Sequence, residues 1–333
     1  MNSPTVRKRL LFLGGIALSI LFLWLALRNV KLADVWQIGS QQIDGKMILW
    51  ALFAYALFFV FKTYRWHLLL SSKINLSTEQ LIPYVMLGYA GNILLPFQAG
   101  EITRAILLSR RYPVAAFTAL STIALEKIFD LLMVLIFLLC SFVFVTFHSD
   151  LLNSFVMTVS YLILLAIIPI ALLLFSPPHT RSFLKALFDS LPSKVFLITV
   201  KRWIEDAIEG VTVLRKGAIL LKVIFLSVLT WLAMLTSLYL TLLALNIEIS
   251  LAAAAIVLFL SAVGMSLPTA PGFIGTIQAA FVVGLLPFGI SQEESIAASL
   301  LYNLLITVVP LGVGIGCFIS LGISFRDLRN TVP

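Results

Sequence analysis

Leu95-Pro96-Phe97-Gln98-Ala99-Gly100 and Leu267-Pro268-Thr269-Ala270-Pro271-Gly272 share one pattern, Leu-Pro-x-x-x-Gly, and each lies in the middle of a long apolar stretch. Proline removes a backbone donor and breaks a helix, and glycine lets the chain turn. A broken helix at membrane depth is tolerated only inside protein or beside a water-filled cavity. Two such breaks in corresponding places therefore predict a substrate site between two structural repeats.

The composition is that of a membrane-embedded protein. Of the 333 residues, 61% are hydrophobic and 11% are charged, whereas a soluble domain has roughly 25% charged residues. The net charge of +8 does not indicate nucleic-acid binding, because the basic residues stand at the ends of apolar spans. Cys140 and Cys317 both lie within apolar spans, so we expect no disulfide framework, no metal site and no cofactor.

The apolar stretches predict an all-α polytopic membrane protein. A helix that crosses the bilayer needs about 20 apolar residues. Six stretches are predicted to be full transmembrane helices: 10–28, 47–66, 115–147, 152–176, 218–245 and 295–323. The stretches 80–110 and 251–290 are each interrupted by the Leu-Pro-x-x-x-Gly pattern, so we interpret them as re-entrant helical hairpins. The first span follows a basic N-terminus without a cleavage signal and is interpreted as a helix.

The distribution of charge predicts the topology. If the N-terminus is cytoplasmic and the hairpins do not cross, most lysines and arginines fall on the inner side. Three full spans then separate the hairpins, so the repeats at about 47–147 and 218–323 are inverted. The hydrophilic stretch 177–217 is expected to be an amphipathic connector on the cytoplasmic surface. We expect a single membrane domain over residues 1–333, in a bacterial or archaeal cytoplasmic (inner) membrane, with both termini cytoplasmic.

The first hairpin carries the best candidate anion site. A helix that restarts after Gly100, at Glu101, would direct its free N–H groups and positive dipole end at a cavity. Arg104 lies one turn later and can bind a phosphate with two parallel hydrogen bonds. Asn92 and Gln98 flank the break and complete the candidate headgroup site. The alternative is an internal Glu101–Arg104 salt bridge, with Asn92 bracing the tip.

Three further charges interrupt the predicted span 115–147. Glu126 and Asp130 are four residues apart on one helical face, and Lys127 projects about 100° away. Charged side chains at this depth must face protein or water. One interpretation is an ion- or proton-coupling site formed by Glu126 and Asp130, with Lys127 among the headgroup ligands. The other is a structural contact that ties this helix to the first hairpin.

The second hairpin is nearly free of charge. Its polar candidates for headgroup binding are Gln278, Tyr302 and Asn303, which can equally be ordinary helix-packing residues. The hairpin breaks are predicted at Pro96, Gly100, Pro268, Pro271, Gly272 and Gly275.

Two other groups of residues carry less functional signal. Lys62 and Arg65 stand among aromatic residues near the end of a span and are interpreted as an interface anchor. His67, His148 and His179 are scattered along the chain, and no metalloprotease, nucleophile-elbow or phosphate-loop motif occurs in the sequence. The chain is therefore not expected to be an enzyme.

In combination, Asn92-x-x-Leu95-Pro96, Gly100-Glu101-x-x-Arg104, Glu126-x-x-x-Asp130 and Pro268-x-x-Pro271-Gly272-x-x-Gly275 resemble the membrane domain of bacterial lysylphosphatidylglycerol synthases. A similar domain occurs alone in a flippase-like, YbhN-like group of membrane proteins. The resemblance spans nearly the whole chain and implies a lipid-translocating fold with paired re-entrant elements. It also implies arginines where Gln98 and Lys127 stand, so a positive charge is missing at Gln98. Full-length synthases add a soluble aminoacyl-transfer domain after the membrane part; we expect this chain to act without one and to carry out no aminoacyl-lipid synthesis.

The leading hypothesis is a lipid transporter or flippase that moves a phospholipid or polyprenyl-phosphate-type lipid between leaflets. Its headgroup would sit at the midplane between the hairpins. The alternative is a membrane subunit or partner of a glycosyl- or aminoacyl-lipid transferase whose soluble catalytic domain is on another chain. A small-solute or ion transporter is a third hypothesis. The expected partners are membrane lipids.

The predicted topology can be tested by cysteine labelling from each side of the membrane. Because the charges of the connector fall inside in the proposed topology, single cysteines placed within 184–210 should react only from the cytoplasmic side. Labelling of these positions only from outside would refute the topology.

Overall fold

The computed structural model describes residues 4–28, 30–41, 43–95, 98–144, 154, 157–158, 161, 164–165, 217–267 and 270–322. Within these ranges the secondary structure is helical and no strand occurs, so the all-α prediction is confirmed. The hairpin tips at Pro96 and Pro268, and nearly all of the predicted span 152–176 and connector 177–217, lie outside the described residues.

The described helices follow the predicted apolar stretches. They are α1 (Pro4–Leu27), α2 (Leu32–Gln41), α3 (Gly45–Leu70), α4 (Thr78–Leu94), α5 (Gly100–Arg111), α6 (Ala116–Phe144), α7 (Gly217–Leu243), α8 (Leu251–Ser266), α9 (Thr276–Leu285) and α10 (Gln292–Ser320). Short 3-10 turns at Pro271–Phe273 and Leu286–Phe288 flank α9.

Several of these helices are suited to cross a membrane. Among the described residues, four segments have the required length and apolar character: Gly45–Leu70, Gly217–Leu243, Pro271–Phe288 and Gln292–Ser320. A fifth is added if the bent pair Gly14–Leu27 and Leu32–Ser40 forms one span. Large apolar side chains such as Phe53 on α3 and Leu304 on α10 are exposed, as expected for surfaces that face lipid. The chain is therefore a multi-pass membrane protein.

The bundle is organised around long-range helix packing. Helix α3 packs along α7, α10 packs against α4, and α8 packs against both α6 and α9. The largest apolar cluster includes Phe58 of α3, Leu238 of α7 and Phe281 of α9. This packing gathers α3, α5, α6 and α7 around one polar region in the interior.

The two broken motifs each lie between the helices of an antiparallel pair. In the first pair, Gly88 of α4 faces Arg104 of α5, and Gly91 faces Gly100. In the second pair, Gly264 of α8 faces Thr276 of α9. Residues Val257 and Gly284, further along the same helices, are also in contact, which establishes the antiparallel direction of the second pair.

Backbone geometry explains why the second pair turns where it does. Gly272 and Gly275 have φ values of 76° and 94°, a region that side chains other than glycine rarely adopt. A Cβ at Gly275 would also collide with the Ser19 carbonyl of α1. The Ser19 hydroxyl accepts a hydrogen bond from Ala270 N at 2.7 Å, so α1 closes against this turn.

Helix α2 was not predicted, because ten residues with mixed polarity are too few to give a span-like signal. The sequence analysis predicts no helix between the spans 10–28 and 47–66, and the structure has one at Leu32–Gln41. Val35 is buried in the apolar core, whereas Trp36 on the same helix is largely exposed. The connection is thus a packed helix rather than a loop.

We expect Gly100→Ala to destabilise the protein. A Cβ at this position would collide with the Gly88 carbonyl and Asn92 N, both backbone atoms of α4, so the first helix pair must separate. Overpacking of this kind costs about 1–3 kcal/mol. Thermal unfolding in detergent should show a lower Tm for Gly100→Ala. The matched control is Gly316→Ala on α10, where a new Cβ meets nothing within 4 Å. Equal Tm values for the two variants would contradict the account.

Candidate functional site

A cluster of charged side chains lies in the interior of the bundle. We call it the charge cluster; its members are Lys62 and Arg65 of α3, Glu101 and Arg104 of α5, and Glu126, Lys127 and Asp130 of α6. The cluster contains four cations and three carboxylates, which leaves one positive charge in excess among the described residues. Such a concentration of charge away from water is stable only if nearly every member is paired.

Glu126 is the centre of the charge cluster. Its Oε1 lies 2.7 Å from Lys62 Nζ and 3.2 Å from Arg65 Nη2. Its Oε2 lies 2.6 Å from Arg104 Nη2. The side chain is only 1% exposed, so these three cations provide the charge compensation that water cannot supply.

Asp130 extends the same network towards α7. Its Oδ1 accepts hydrogen bonds from Arg65 Nη2 at 2.6 Å and from the Trp231 indole at 3.1 Å. Its Oδ2 accepts one from Lys62 Nζ at 3.0 Å. Arg65 Nη1 also donates to the Ser227 hydroxyl at 2.9 Å. All four carboxylate oxygens of Glu126 and Asp130 are therefore occupied, and α3, α6 and α7 are fixed to one another.

Arg104 is buried but only partly satisfied. Its guanidinium carbon lies 4.6 Å from the centre of the Trp66 ring, and its Nη2 binds Glu126. Its Nε and Nη1 are buried and have no hydrogen-bond partner among the described residues. Unsatisfied buried donors are uncommon, and here they belong to a cation that is 1% exposed. Arg104 therefore retains unused capacity to bind an anion.

Glu101 lies at the edge of the charge cluster. Its Oε1 is 2.9 Å from Lys127 Nζ and accepts a hydrogen bond from Asn92 Nδ2 at 3.2 Å. Its Oε2 is 3.1 Å from Arg104 Nη2, so the ion pair that the spacing predicted is present. That oxygen nevertheless accepts no aligned hydrogen bond from the described residues. Lys127 is 40% exposed, which makes this side the accessible one.

Local helix geometry explains how the charge cluster forms. Lys62 and Arg65 are three residues apart, as are Glu101 and Arg104, and Glu126 and Asp130 are four apart. Each spacing places both side chains on one helical face. Arg104 can lie close to α4 because Gly88 has no side chain; a Cβ there would meet Arg104 Cδ at 2.9 Å.

Two of the polar residues predicted to bind a headgroup at the second hairpin, Gln278 and Asn303, instead form hydrogen bonds to the backbone of that hairpin. Gln278 Oε1 accepts a hydrogen bond from Gly275 N at 2.6 Å, and Asn303 Nδ2 donates to the Gly272 carbonyl at 3.1 Å. Tyr302 is fully buried, and its hydroxyl has no partner within the part of the chain that the structure describes. Gln98, from the first hairpin, donates to the Met265 carbonyl at 3.0 Å and so joins the two helix pairs.

Lys62 and Arg65 were misinterpreted as an interface anchor. Both are buried, at 1% and 0% exposure, and both pair with carboxylates of α6. A signal was present in the sequence: two basic residues on one face of α3 match two acidic residues on one face of α6. Sequence alone could not show that the two faces meet.

The fold and the charge cluster define a multi-pass helical membrane protein with buried ionisable groups and two broken helix pairs. The family model of the lysylphosphatidylglycerol synthase TM region matches residues 12–314, and the chain belongs to this family. The resemblance seen in the sequence is thereby confirmed, and it associates the protein with a lipid-related function. A comparison with curated proteins found no match.

We expect Lys62→Met to destabilise the protein strongly. The change leaves Glu126 and Asp130 buried with one cation fewer, and breaking a buried ion pair in this way costs about 3–5 kcal/mol. Lys46→Met, at the exposed start of the same helix, is the matched control and should change stability by less than about 0.5 kcal/mol. Denaturation in detergent micelles measures both. Comparable losses from the two variants would contradict the assignment.

Proposed function

We propose that this protein moves an anionic lipid, either a phospholipid or a polyprenyl-phosphate-type lipid, between the two leaflets of the membrane. The observation that supports this most is Arg104, a buried guanidinium with two unused N–H donors inside a cluster with excess positive charge. The name of the family refers to the synthesis of lysylphosphatidylglycerol, whose headgroup contains a phosphodiester. A lipid phosphate supplies the anion that such a site can bind.

The proposed binding site is the α5 end of the charge cluster. Arg104 would bind the phosphate through its Nε–H and Nη1–H donors, which no acceptor among the described residues uses. The first turn of α5, at Gly100, would add backbone N–H groups and the positive end of the helix dipole. Lys127, half-exposed beside them, would attract the headgroup from the aqueous side. Asn92 would orient the ligand as it now orients Glu101.

The contacts of Glu126 and Asp130 favour a structural role, as fixed counter-charges to the neighbouring cations, over a role in ion or proton coupling. Each of their oxygens already accepts from a cation or from Trp231, so a proton would displace a strong existing contact. A bound cation would meet the same cations at short range. We therefore assign them the role of holding Lys62, Arg65 and Arg104 in place.

The proposed architecture retains six full spans and two re-entrant hairpins of opposite orientation. The two antiparallel helix pairs support it, since each is centred on a Leu-Pro-x-x-x-Gly motif. The Gln98–Met265 hydrogen bond supports a junction between the pairs near the membrane midplane. In transporters built from inverted repeats, the substrate site lies at such an interface between the repeats.

Replacement of Arg104 tests this function. Arg104→Ala should abolish lipid movement in proteoliposomes, because a charged hydrogen-bonded contact is worth ~1.5–3 kcal/mol. Headgroup affinity should then fall by roughly tenfold to a hundredfold. Arg104→Lys should restore only part of the activity, since lysine keeps the charge but lacks the planar fork.

The control for this experiment is Arg28→Ala, at the exposed end of α1, which should transport like the wild type. Detergent stability is measured in parallel for every variant, so that loss of fold is not mistaken for loss of transport. Wild-type transport by a folded Arg104→Ala variant would refute the proposed role.

A further inference from the structure

The Glu101 carboxylate lies among the side-chain donors of the proposed headgroup site. The carboxylate is surrounded by donors from three helices: Asn92 Nδ2 of α4 at 3.2 Å, Arg104 Nη2 of α5 at 3.1 Å and Lys127 Nζ of α6 at 2.9 Å. A carboxylate and a phosphodiester each present two oxygens that share one negative charge. The same donors can therefore serve either group.

The two buried glutamates of the charge cluster are held very differently. Glu126 has both oxygens in close contact with cations, the shortest at 2.6 Å, and it is 1% exposed. Glu101 Oε2 accepts no aligned hydrogen bond within the described ranges, and its side chain is 10% exposed. Its nearest cation, Lys127, is itself 40% exposed. Glu101 is thus the carboxylate that can leave without disrupting the centre of the cluster.

The contacts of Arg104 also indicate that Glu101 is held less firmly than Glu126. Only its Nη2 is engaged by carboxylates, whereas Nε and Nη1 stay without partners in the described part of the chain. A residue whose sole role was to neutralise Glu101 would be expected to use its guanidinium fork for that contact. The observed contact involves Nη2 alone and is poorly aligned, so Glu101 does not use the binding capacity of the guanidinium.

From these observations we propose that the Glu101 carboxylate occupies the binding position of the substrate phosphodiester and is displaced when a lipid headgroup binds. The inference rests on the proposed lipid-binding function and concerns how that site is controlled. Exchange of one singly charged anion for another leaves the charge of the cluster unchanged. Binding is then moderate, which lets the headgroup leave as readily as it arrives, as translocation requires.

The displacement of Glu101 also gives the site a preference among lipid headgroups. A phosphodiester lipid with a single net negative charge replaces Glu101 without a change in the net charge of the cluster, whereas a zwitterionic lipid brings its own cation close to Arg104 and Lys127. Like charges brought together in this buried site repel. We therefore expect the site to bind a lipid with a single net negative charge, such as phosphatidylglycerol, more tightly than a zwitterionic lipid.

Glu101→Gln tests the inference, because it removes the resident charge while it keeps the shape of the side chain. Short-chain phosphatidylglycerol is titrated into the full-length protein in detergent, and binding is followed by calorimetry. Affinity for phosphatidylglycerol should rise by about tenfold relative to the wild type, because the Glu101 carboxylate no longer competes with the lipid phosphate for Arg104 and Lys127. Adding Arg104→Ala to this variant should abolish the gain. Glu79→Gln, in the exposed first turn of α4, is the matched control and should bind as the wild type does.

Affinity of Glu101→Gln equal to or below that of the wild type would overturn the inference. If that variant is not recovered folded, Glu101→Asp replaces it: the shorter carboxylate withdraws from Arg104, so binding should again tighten, by a smaller factor, and weaker binding overturns the inference. The titration is independent of lipid movement. Failure of the wild type to move any lipid in vesicles would refute the proposed function, whereas the titration decides the role of Glu101.

Discussion

The structure depends on the need to pair every charge that the bundle buries. Lys62, Arg65 and Glu126 lie where water cannot stabilise them, and removal of one partner leaves an uncompensated charge in a low-dielectric interior. Because these partners come from α3 and α6, with Arg104 added from α5, the ion pairs fix three helices in one arrangement. The first helix pair is thereby joined to the surrounding spans by charge as well as by apolar packing.

The charge cluster divides into two parts with different physical character. Around Glu126 and Asp130 every carboxylate oxygen is in contact with a cation or an indole N–H, so both carboxylates are fully paired. Glu101 Oε2 accepts no aligned hydrogen bond from the described residues, and Arg104 keeps two donors unused. Paired charges that hold an unsatisfied guanidinium in place are a means of preorganising an anion site. The family's lipid-related function supplies a chemically suitable anion.

Sequence reasoning succeeded where the signal was local and failed where it was long-range. The Leu-Pro-x-x-x-Gly motifs predicted helix breaks where the structure has two antiparallel helix pairs, and the three-residue spacing indicated the Glu101–Arg104 ion pair as an alternative to a free anion site. The contact between Lys62 and Glu126 joins residues 64 positions apart, so a lysine near the end of an apolar span looked like an interface anchor. Helix α2 was missed because it is short and only half apolar. Gln278 accepts a hydrogen bond from the backbone of its own turn, and this contact could not be predicted from the residue type alone.

The central claim is that Arg104 and its neighbours form a site for an anionic lipid headgroup, and lipid retention tests it most directly. The protein is released from micelles that contain equal amounts of phosphatidylglycerol and phosphatidylcholine, and the lipids that remain bound are weighed by native mass spectrometry. The account predicts that the wild type retains phosphatidylglycerol in clear preference, because a single excess positive charge is buried in the cluster. Retention of the two lipids in equal proportion would contradict it.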